Sequence, residues 1–275
     1  MTLRLQNALA MTLHTDTAVA EGPPSLDVAG GVATIRLRRP SQRNALHDED
    51  LSTLLNHFAC VQGDPSVRVL VLTAEVGTHE RPVFCAGYFV GGFESGRHDP
   101  TLFEKIPDVL ERLRPLTVCA LNGSVYGGAT DIALACDLRL GANGSEFRMP
   151  AAALGLHYYP SGLRRYVSRL GLNLAKRAFL TAQPLSYEML ASQGLFEAIV
   201  APGDFHRTLQ ALVQRLVQLA PLAAQMTKLS LNEIADGRYD EASLRAREIA
   251  TTKSEDFSEG RIAFAQRRKP VFVGR

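Results

Sequence analysis

Apolar positions change rhythm along this chain, and the rhythm predicts its elements. Leu26 to Val28 and Val32 to Leu37 are short apolar stretches around Gly30-Gly31, the pattern of a hairpin. After a loop from Pro40 to Arg43, residues Leu51, Leu54, Leu55 and Phe58 recur at helical spacing. They predict a helix over Asn44 to Val61, stopped by Asp64-Pro65. Val67 to Thr73 (VRVLVLT) is apolar almost throughout and predicts a buried strand, as does Thr117 to Leu121 (TVCAL). A helix-like stretch from Leu102 to Leu113 precedes the second of these. Ala129 to Cys136 follows Gly127-Gly128 as an apolar helical segment, and Leu138 to Gly141 reads as a further strand. Strand, loop and helix repeat, which favours an α/β architecture.

The pattern turns helical after Pro184. A short helix over Tyr187 to Gly194 runs into a closing extended segment, Leu195 to Val200. Leu209, Leu212, Val213, Leu216 and Val217 line one side of a helix from Phe205 to Leu219. Helical spacing continues over Pro221 to Ala235, Leu244 to Thr252 and Glu259 to Arg267. Three regions are expected: a flexible N-terminal extension over 1–24 closed by Pro23 and Pro24, a core over 25–200, and a helical C-terminal region over 201–275.

Composition narrows the field. The chain has 275 residues, enough for a large domain with a sizeable core. Its 30 Lys and Arg against 28 Asp and Glu leave a net charge of +2, which makes no case for nucleic acid as a partner. No apolar run is long enough to span a bilayer, so no membrane partner is expected. The first twenty residues lack the pattern of a secretory signal. Cys60, Cys85, Cys119 and Cys136 are widely spaced, with no CxxC pair, and are expected to be buried free thiols in a reducing compartment, the cytoplasm. The seven histidines show no HExxH or similar spacing, so no metal site is expected.

Two glycine-containing turns carry the candidate chemistry. Phe84-Cys85-Ala86-Gly87-Tyr88 is one, and Asn122-Gly123-Ser124-Val125-Tyr126-Gly127-Gly128-Ala129 is the other. Small residues there serve either tight turns and close helix packing or the close approach of a ligand to the backbone. The helix beginning near Gly128 also presents unpaired N–H groups and the positive end of its dipole. A carbonyl oxygen between one N–H from each segment would be polarised where charge develops during reaction. Neither segment fits the dinucleotide pattern GxGxxG.

Together with their order, the segments VRVLVLT, FCAG, ALNGSVYGGATDIALACDLRLG, LGLHYYPSGLRRYVSRLG and SEDFSEGRIAFAQRRKPVF resemble the crotonase, or enoyl-CoA hydratase/isomerase, superfamily from about Ser25 to the C-terminus. The resemblance implies a crotonase-like spiral of ββα units capped by the helical C-terminal region, assembled as a homotrimer or hexamer. It implies an acyl-CoA thioester as substrate, with coenzyme A part of that substrate and no prosthetic group. It places the two oxyanion donors on the backbone N–H groups of Tyr88 and Gly128, with Ala86 in the first turn as a further CoA contact. PSQRNAL, Pro40 to Leu46, stands where members approach the CoA adenine and phosphates, which makes Arg43 and Ala45 candidate contacts. Lys269, beside Arg267 and Arg268, is a further candidate for the phosphates, or else part of a solvated basic face.

The carboxylates bear on which reaction is run. Members that hydrate enoyl thioesters hold water between two glutamates. The first of these positions is Asp131 here, and the second, after a proline, is Ala151, whose methyl group transfers no proton. Glu146 lies five residues out of register to replace it. In GLHYYPSGL, His157, Tyr158 and Tyr159 stand where small or apolar residues are usual. His157 is a candidate general base, and the tyrosines are candidates to donate hydrogen bonds or to narrow the acyl pocket. Phe89 replaces a usual acidic residue, and Gly91-Gly92 are expected to loosen the segment after it. Enoyl-CoA hydratase or isomerase chemistry, in fatty acid metabolism, is the expected activity. A thioesterase, a decarboxylase or a silent acyl-CoA binding protein stands as the alternative.

Overall fold

In the computed structural model, which describes residues 21–77, 81–89 and 101–275, the chain winds through two sheets in turn. Strand β1 (Gly22–Ala29) and strand β2 (Val32–Arg38) form the expected antiparallel hairpin. Gly30 and Gly31 turn it with φ of 58° and 82°, values that favour glycine. The strand begins at Gly22, so Pro23 and Pro24 lie inside it and do not close an extension. As the first strand of its sheet it tolerates proline, because its outer edge needs no amide donors.

Helix α1 spans Asp48–Gly63, later than the predicted start at Asn44. Arg43 and Asn44 have φ of 52° and 53°, and neither can enter a right-handed helix. The side chain of Asp50 accepts the amide of His47, which fixes the later beginning.

Three ββα turns then follow. Strand β3 (Val69–Ala74) enters the large sheet, β4 (Val83–Cys85) the small one, and α2 (Leu102–Arg112) completes the first turn. Strands β5 (Leu116–Leu121) and β6 (Ser124–Tyr126) with α3 (Gly128–Ala135) repeat it. Strands β7 (Leu138–Ala142) and β8 (Glu146–Arg148), a 3-10 turn over Ala151–Leu154 and α4 (Pro160–Thr181) form the third. The small sheet closes with β9 (Leu185–Ser186), antiparallel to β8, and α5 spans Tyr187–Ser192. The large sheet closes with β10 (Ala198–Val200) beside β7, and α6 (Pro202–Val217), α7 (Pro221–Ala235), α8 (Glu241–Thr252) and α9 (Glu255–Ala265) complete the chain.

The large sheet runs β1-β2-β3-β5-β7-β10 and is parallel from β2 onward. Leu70 and Leu72 face the main core, whereas Val69 and Val71 face a second cluster with Phe205, Leu212 and Val213 of α6. Cover on both faces is why VRVLVLT has no polar alternation. The small sheet, β4-β6-β8-β9, was not legible: its strands have only two or three residues and read as loops around the glycine turns. Cys85, Cys119 and Cys136 are buried free thiols as expected, but Cys60 on α1 is exposed.

Candidate active site

The two glycine turns meet because β4 pairs with β6 in parallel. Gly87 has φ of 96° and lies directly on the second turn. A Cβ there would stand 2.8 Å from the Tyr126 carbonyl oxygen and 3.2 Å from the Gly128 amide nitrogen. No other residue type fits both the dihedral and the space. Tyr88 forms a single parallel bridge with Leu46, in which the Leu46 amide donates to the Gly87 carbonyl and the Phe89 amide to the Leu46 carbonyl, each at 2.9 Å. Those bonds use the Gly87 carbonyl and the Phe89 amide on either side of Tyr88, so the Tyr88 amide is turned away from Leu46. Gly128 opens α3, where a helix leaves its amides without intrahelical partners and its dipole is positive.

Phe103 of α2 covers this junction. A Cβ on Gly128 would meet its ring at 2.4 Å, and its centroid lies 5.7 Å from the Tyr88 ring and 6.3 Å from the Tyr159 ring. One aromatic ring thus touches both amide segments and the tyrosine beyond them.

The PSQRNAL loop is tied to the same turn through its backbone. The Arg43 carbonyl accepts the Ala86 amide at 2.9 Å, and the buried Asn44 side chain donates to the Glu75 carbonyl at 2.7 Å while accepting the Arg39 amide at 2.8 Å. Arg43 is exposed and Ala45 half-buried, both next to the turn that carries Tyr88. Lys269 is exposed beyond α9, where Arg268 pairs with Glu259 at 2.6 Å. Among the described residues, no hydrogen bond or ion pair connects Lys269 to the Gly87–Tyr88 turn. The segment with Gly91-Gly92 lies outside the described residues, and Phe89 stacks on His47 at 4.8 Å.

Asp131, in the first turn of α3, is 0% exposed. Its Oδ2 accepts the Tyr159 hydroxyl and the Arg165 Nη1 donor, the latter at 2.7 Å. No group among the described residues hydrogen-bonds to its Oδ1, which is buried as well. Arg165 is also 0% exposed and is shared: its Nη2 reaches Asp108 at 2.7 Å and Glu111 at 3.3 Å. Arg164 at 3.0 Å and Arg169 at 3.4 Å flank Glu111 further. A buried guanidinium has to be paired in this way, since leaving water costs several kcal/mol per ion.

The electrostatics follow from that sharing. Burial raises the Asp131 pKa, and the Arg165 charge and the Tyr159 bond offset it only in part. Burial raises Tyr159 as well, and the adjacent Asp131 charge adds to it, so the phenol stays neutral. Burial opposes the charge on Arg165, but Asp131 and Glu111 outweigh it and hold the guanidinium protonated. Burial also works against ionised Glu111, yet Arg165 and Arg164 pull its pKa below the ordinary value.

The hydroxyl that reaches Asp131 comes from Tyr159, which also accepts the Tyr158 hydroxyl at 3.1 Å, whereas His157 is exposed. Tyr159 stands at the entrance of α4, with Pro160 setting the first turn and Arg165 following on the same helix. Glu146 accepts the Tyr126 hydroxyl at 3.0 Å in the small sheet. Ala151 is buried in the 3-10 turn. Arg165, Glu111 and Phe103 were not singled out from the sequence. The available signal was Gly162, Arg165 and Tyr166 on one face of α4, which put an arginine on its buried side. A cavity of about 890 Å³ opens elsewhere, between the large sheet and α6, and none of Tyr88, Gly128 or Asp131 lines it.

A family model described as enoyl-CoA hydratase/isomerase matches residues 27–275. A probable enoyl-CoA hydratase of Mycobacterium leprae is 32% identical over 251 residues, covering 90% of this chain and 97% of that protein. An enoyl-CoA hydratase domain-containing mitochondrial protein of Bos taurus is 33% identical, covering 89% of this chain and 85% of its own length. A crystal structure of an enoyl-CoA hydratase subunit from Geobacillus kaustophilus superposes with a TM-score of 0.81 at 26% identity, over 93% of this chain and 99% of that one.

Proposed function

This chain belongs to the enoyl-CoA hydratase/isomerase family, and from that premise we propose that it moves a proton at the carbon beside an acyl-CoA thioester while Tyr88 and Gly128 hold the thioester oxygen. It is an acyl-CoA-processing enzyme of this family's type. Removing that proton leaves the C–H electron pair in an enolate, whose charge gathers on the oxygen. Two fixed backbone amides at that oxygen stabilise the enolate without reorganising. The contact of Gly87 with the Gly128 amide supports this reading, because it brings the two donor segments together at the start of a helix.

One carboxylate argues for double-bond isomerisation over hydration. Asp131 is the acid–base group of α3, and Ala151 offers no second one. Shuttling one proton between two carbons needs a single such group, whereas hydration also needs a held water. His157, exposed beside Tyr158, is assigned no proton in this reading. Arg43, Ala45, Ala86 and Lys269 are proposed CoA contacts, the first three from their place around the Tyr88 turn.

Assembly as a homotrimer or hexamer is part of the proposal. Ile234, Ile249, Ile262 and Phe264 on α7, α8 and α9 support it, Phe264 being 87% exposed. Four free thiols suit a reducing compartment, and we place the protein in the cytoplasm.

The test is a panel of 2-enoyl, 3-enoyl, β-hydroxyacyl and malonyl-type CoA thioesters, with products read by mass spectrometry and absorbance. We expect 3-enoyl-CoA to change absorbance at constant mass, and crotonyl-CoA to gain water slowly. Crotonyl-CoA turnover at ordinary hydratase rates overturns the isomerase reading, as does release of free CoA or carbon dioxide as the main reaction. Binding without turnover identifies a silent acyl-CoA binding protein.

A further inference from the structure

Asp131 has no exposed surface, and the oxygen through which it makes its bonds is closed by Tyr159 on one side and Arg165 on the other. Tyr159 keeps part of its own surface and packs against the Phe103 ring that covers Gly128. The path from the amide pair to the carboxylate therefore runs over the Tyr159 hydroxyl. Resting on the acyl-CoA reading above, we propose that Asp131 exchanges its proton with substrate through Tyr159, whose hydroxyl is the group that touches the reacting carbon.

The step balances as a double transfer. The Tyr159 oxygen takes the proton from the carbon beside the thioester, while its own proton passes to Asp131 Oδ2. The C–H electron pair becomes the carbon–carbon double bond of the enolate, and the carbonyl pair moves to the oxygen facing the Tyr88 and Gly128 amides. Tyr159 is a neutral phenol before and after, and no phenolate forms beside a carboxylate. The reverse step returns a proton to carbon.

Three observations support the direction of transfer. Among the described residues no donor bonds to the buried Asp131 Oδ1, so the ionised carboxylate has one oxygen unpaired there and gains by taking a proton. Arg165 divides its charge among Asp131, Asp108 and Glu111, which limits how far it stabilises the Asp131 anion. Burial raises the Asp131 pKa and keeps the Tyr159 phenol neutral, as a relay requires. The other hydroxyls of this cluster are bonded to one another, Tyr158 to Tyr159 and Thr130 to Tyr166.

Tritium release from a 3-enoyl-CoA labelled at the carbon beside the thioester tests this, with thioester affinity measured alongside. Wild-type protein is expected to release tritium, and Tyr159→Phe to lose about 100-fold or more of that rate with affinity little changed. Asp131→Asn is expected to lose as much, and the double variant no more than either single one, because the two act as a unit. Release by Tyr159→Phe at or above the wild-type rate overturns the relay and leaves the acyl-CoA reading intact. Wild-type protein that binds no CoA thioester overturns the acyl-CoA reading, and one that binds but neither releases the tritium to water nor moves it to another carbon overturns the proton-transfer reading and the relay with it. A second measurement needs no variant. The relay puts one solvent-exchangeable proton in flight, so wild-type release is slower in deuterium oxide than in water. Direct abstraction by Asp131 puts none in flight, and equal rates overturn the relay.

Discussion

Gly87 lies against Gly128 so closely that a Cβ on the first would stand 3.2 Å from the amide nitrogen of the second. That contact joins two glycines 41 positions apart in sequence, and the small sheet enforces it through the pairing of β4 with β6. Gly87→Ala forces both a left-handed dihedral and an overlap with the Tyr126 carbonyl. A loss of stability of about 1–3 kcal/mol is expected in urea unfolding. The acyl-CoA proton-transfer rate should fall further than that of an equally destabilised surface variant, and an unchanged rate would place the oxyanion donors elsewhere.

Gly128→Ala drives a methyl group into the Phe103 ring. Its cost should be coupled to Phe103: combining it with Phe103→Leu is expected to recover about 0.5–3 kcal/mol relative to additivity, as touching residues do. Strict additivity in a double-mutant cycle would show that the ring does not cover Gly128.

Arg165 holds two buried carboxylates, Asp131 and Glu111. Arg165→Ala leaves both without their shared cation and should cost about 3–5 kcal/mol, measured by chemical denaturation. A loss below about 1 kcal/mol, within the range of a surface pair, would contradict the burial of this network.

Glu111 gives that network a pH signature. Burial alone would raise its pKa, but Arg165 and Arg164 outweigh burial and leave it lowered in the folded chain. The unfolded chain therefore binds its proton first as pH falls, and the stability Glu111 contributes is present above about pH 4.3 and lost below it. Glu111→Gln should be less stable than wild type at neutral pH, with the gap closing as pH falls through the lowered folded value. A gap that widens on acidification would reverse the sign assigned here. Asp131, whose pKa is raised, acts in the opposite sense and is common to both proteins.

The thiols make a simpler test. Cys60 is exposed on α1, whereas burial raises Cys85 to about 12 and pushes Cys119 well above its ordinary value. A thiol reagent should label one cysteine promptly in native protein and all four after unfolding. Cys60→Ser should abolish the prompt phase, and prompt labelling of several thiols would mean an open core.

The sequence alone determined the strands of the large sheet, most helices and the two glycine turns, because each is set by local pattern. VRVLVLT is apolar over its length because both faces of β3 are covered, and Leu51, Leu54 and Phe58 mark the buried stripe of α1. Set beside the family resemblance, it also raised the expectation that one carboxylate is absent, because Ala151 stands where that resemblance puts the second one. Tertiary structure decided what pairs with Asp131. His157, Tyr158 and Tyr159 are neighbours in sequence, and only the geometry at the entrance of α4 sends Tyr159 to the carboxylate and leaves His157 exposed. Arg165 was invisible for the same reason: a buried arginine is tolerable only beside its partners, and Asp108, Glu111 and Asp131 come from two other helices. Periodicity records which side of an element avoids water. It cannot record which distant charge makes burying a polar group affordable, because that depends on how the helices pack.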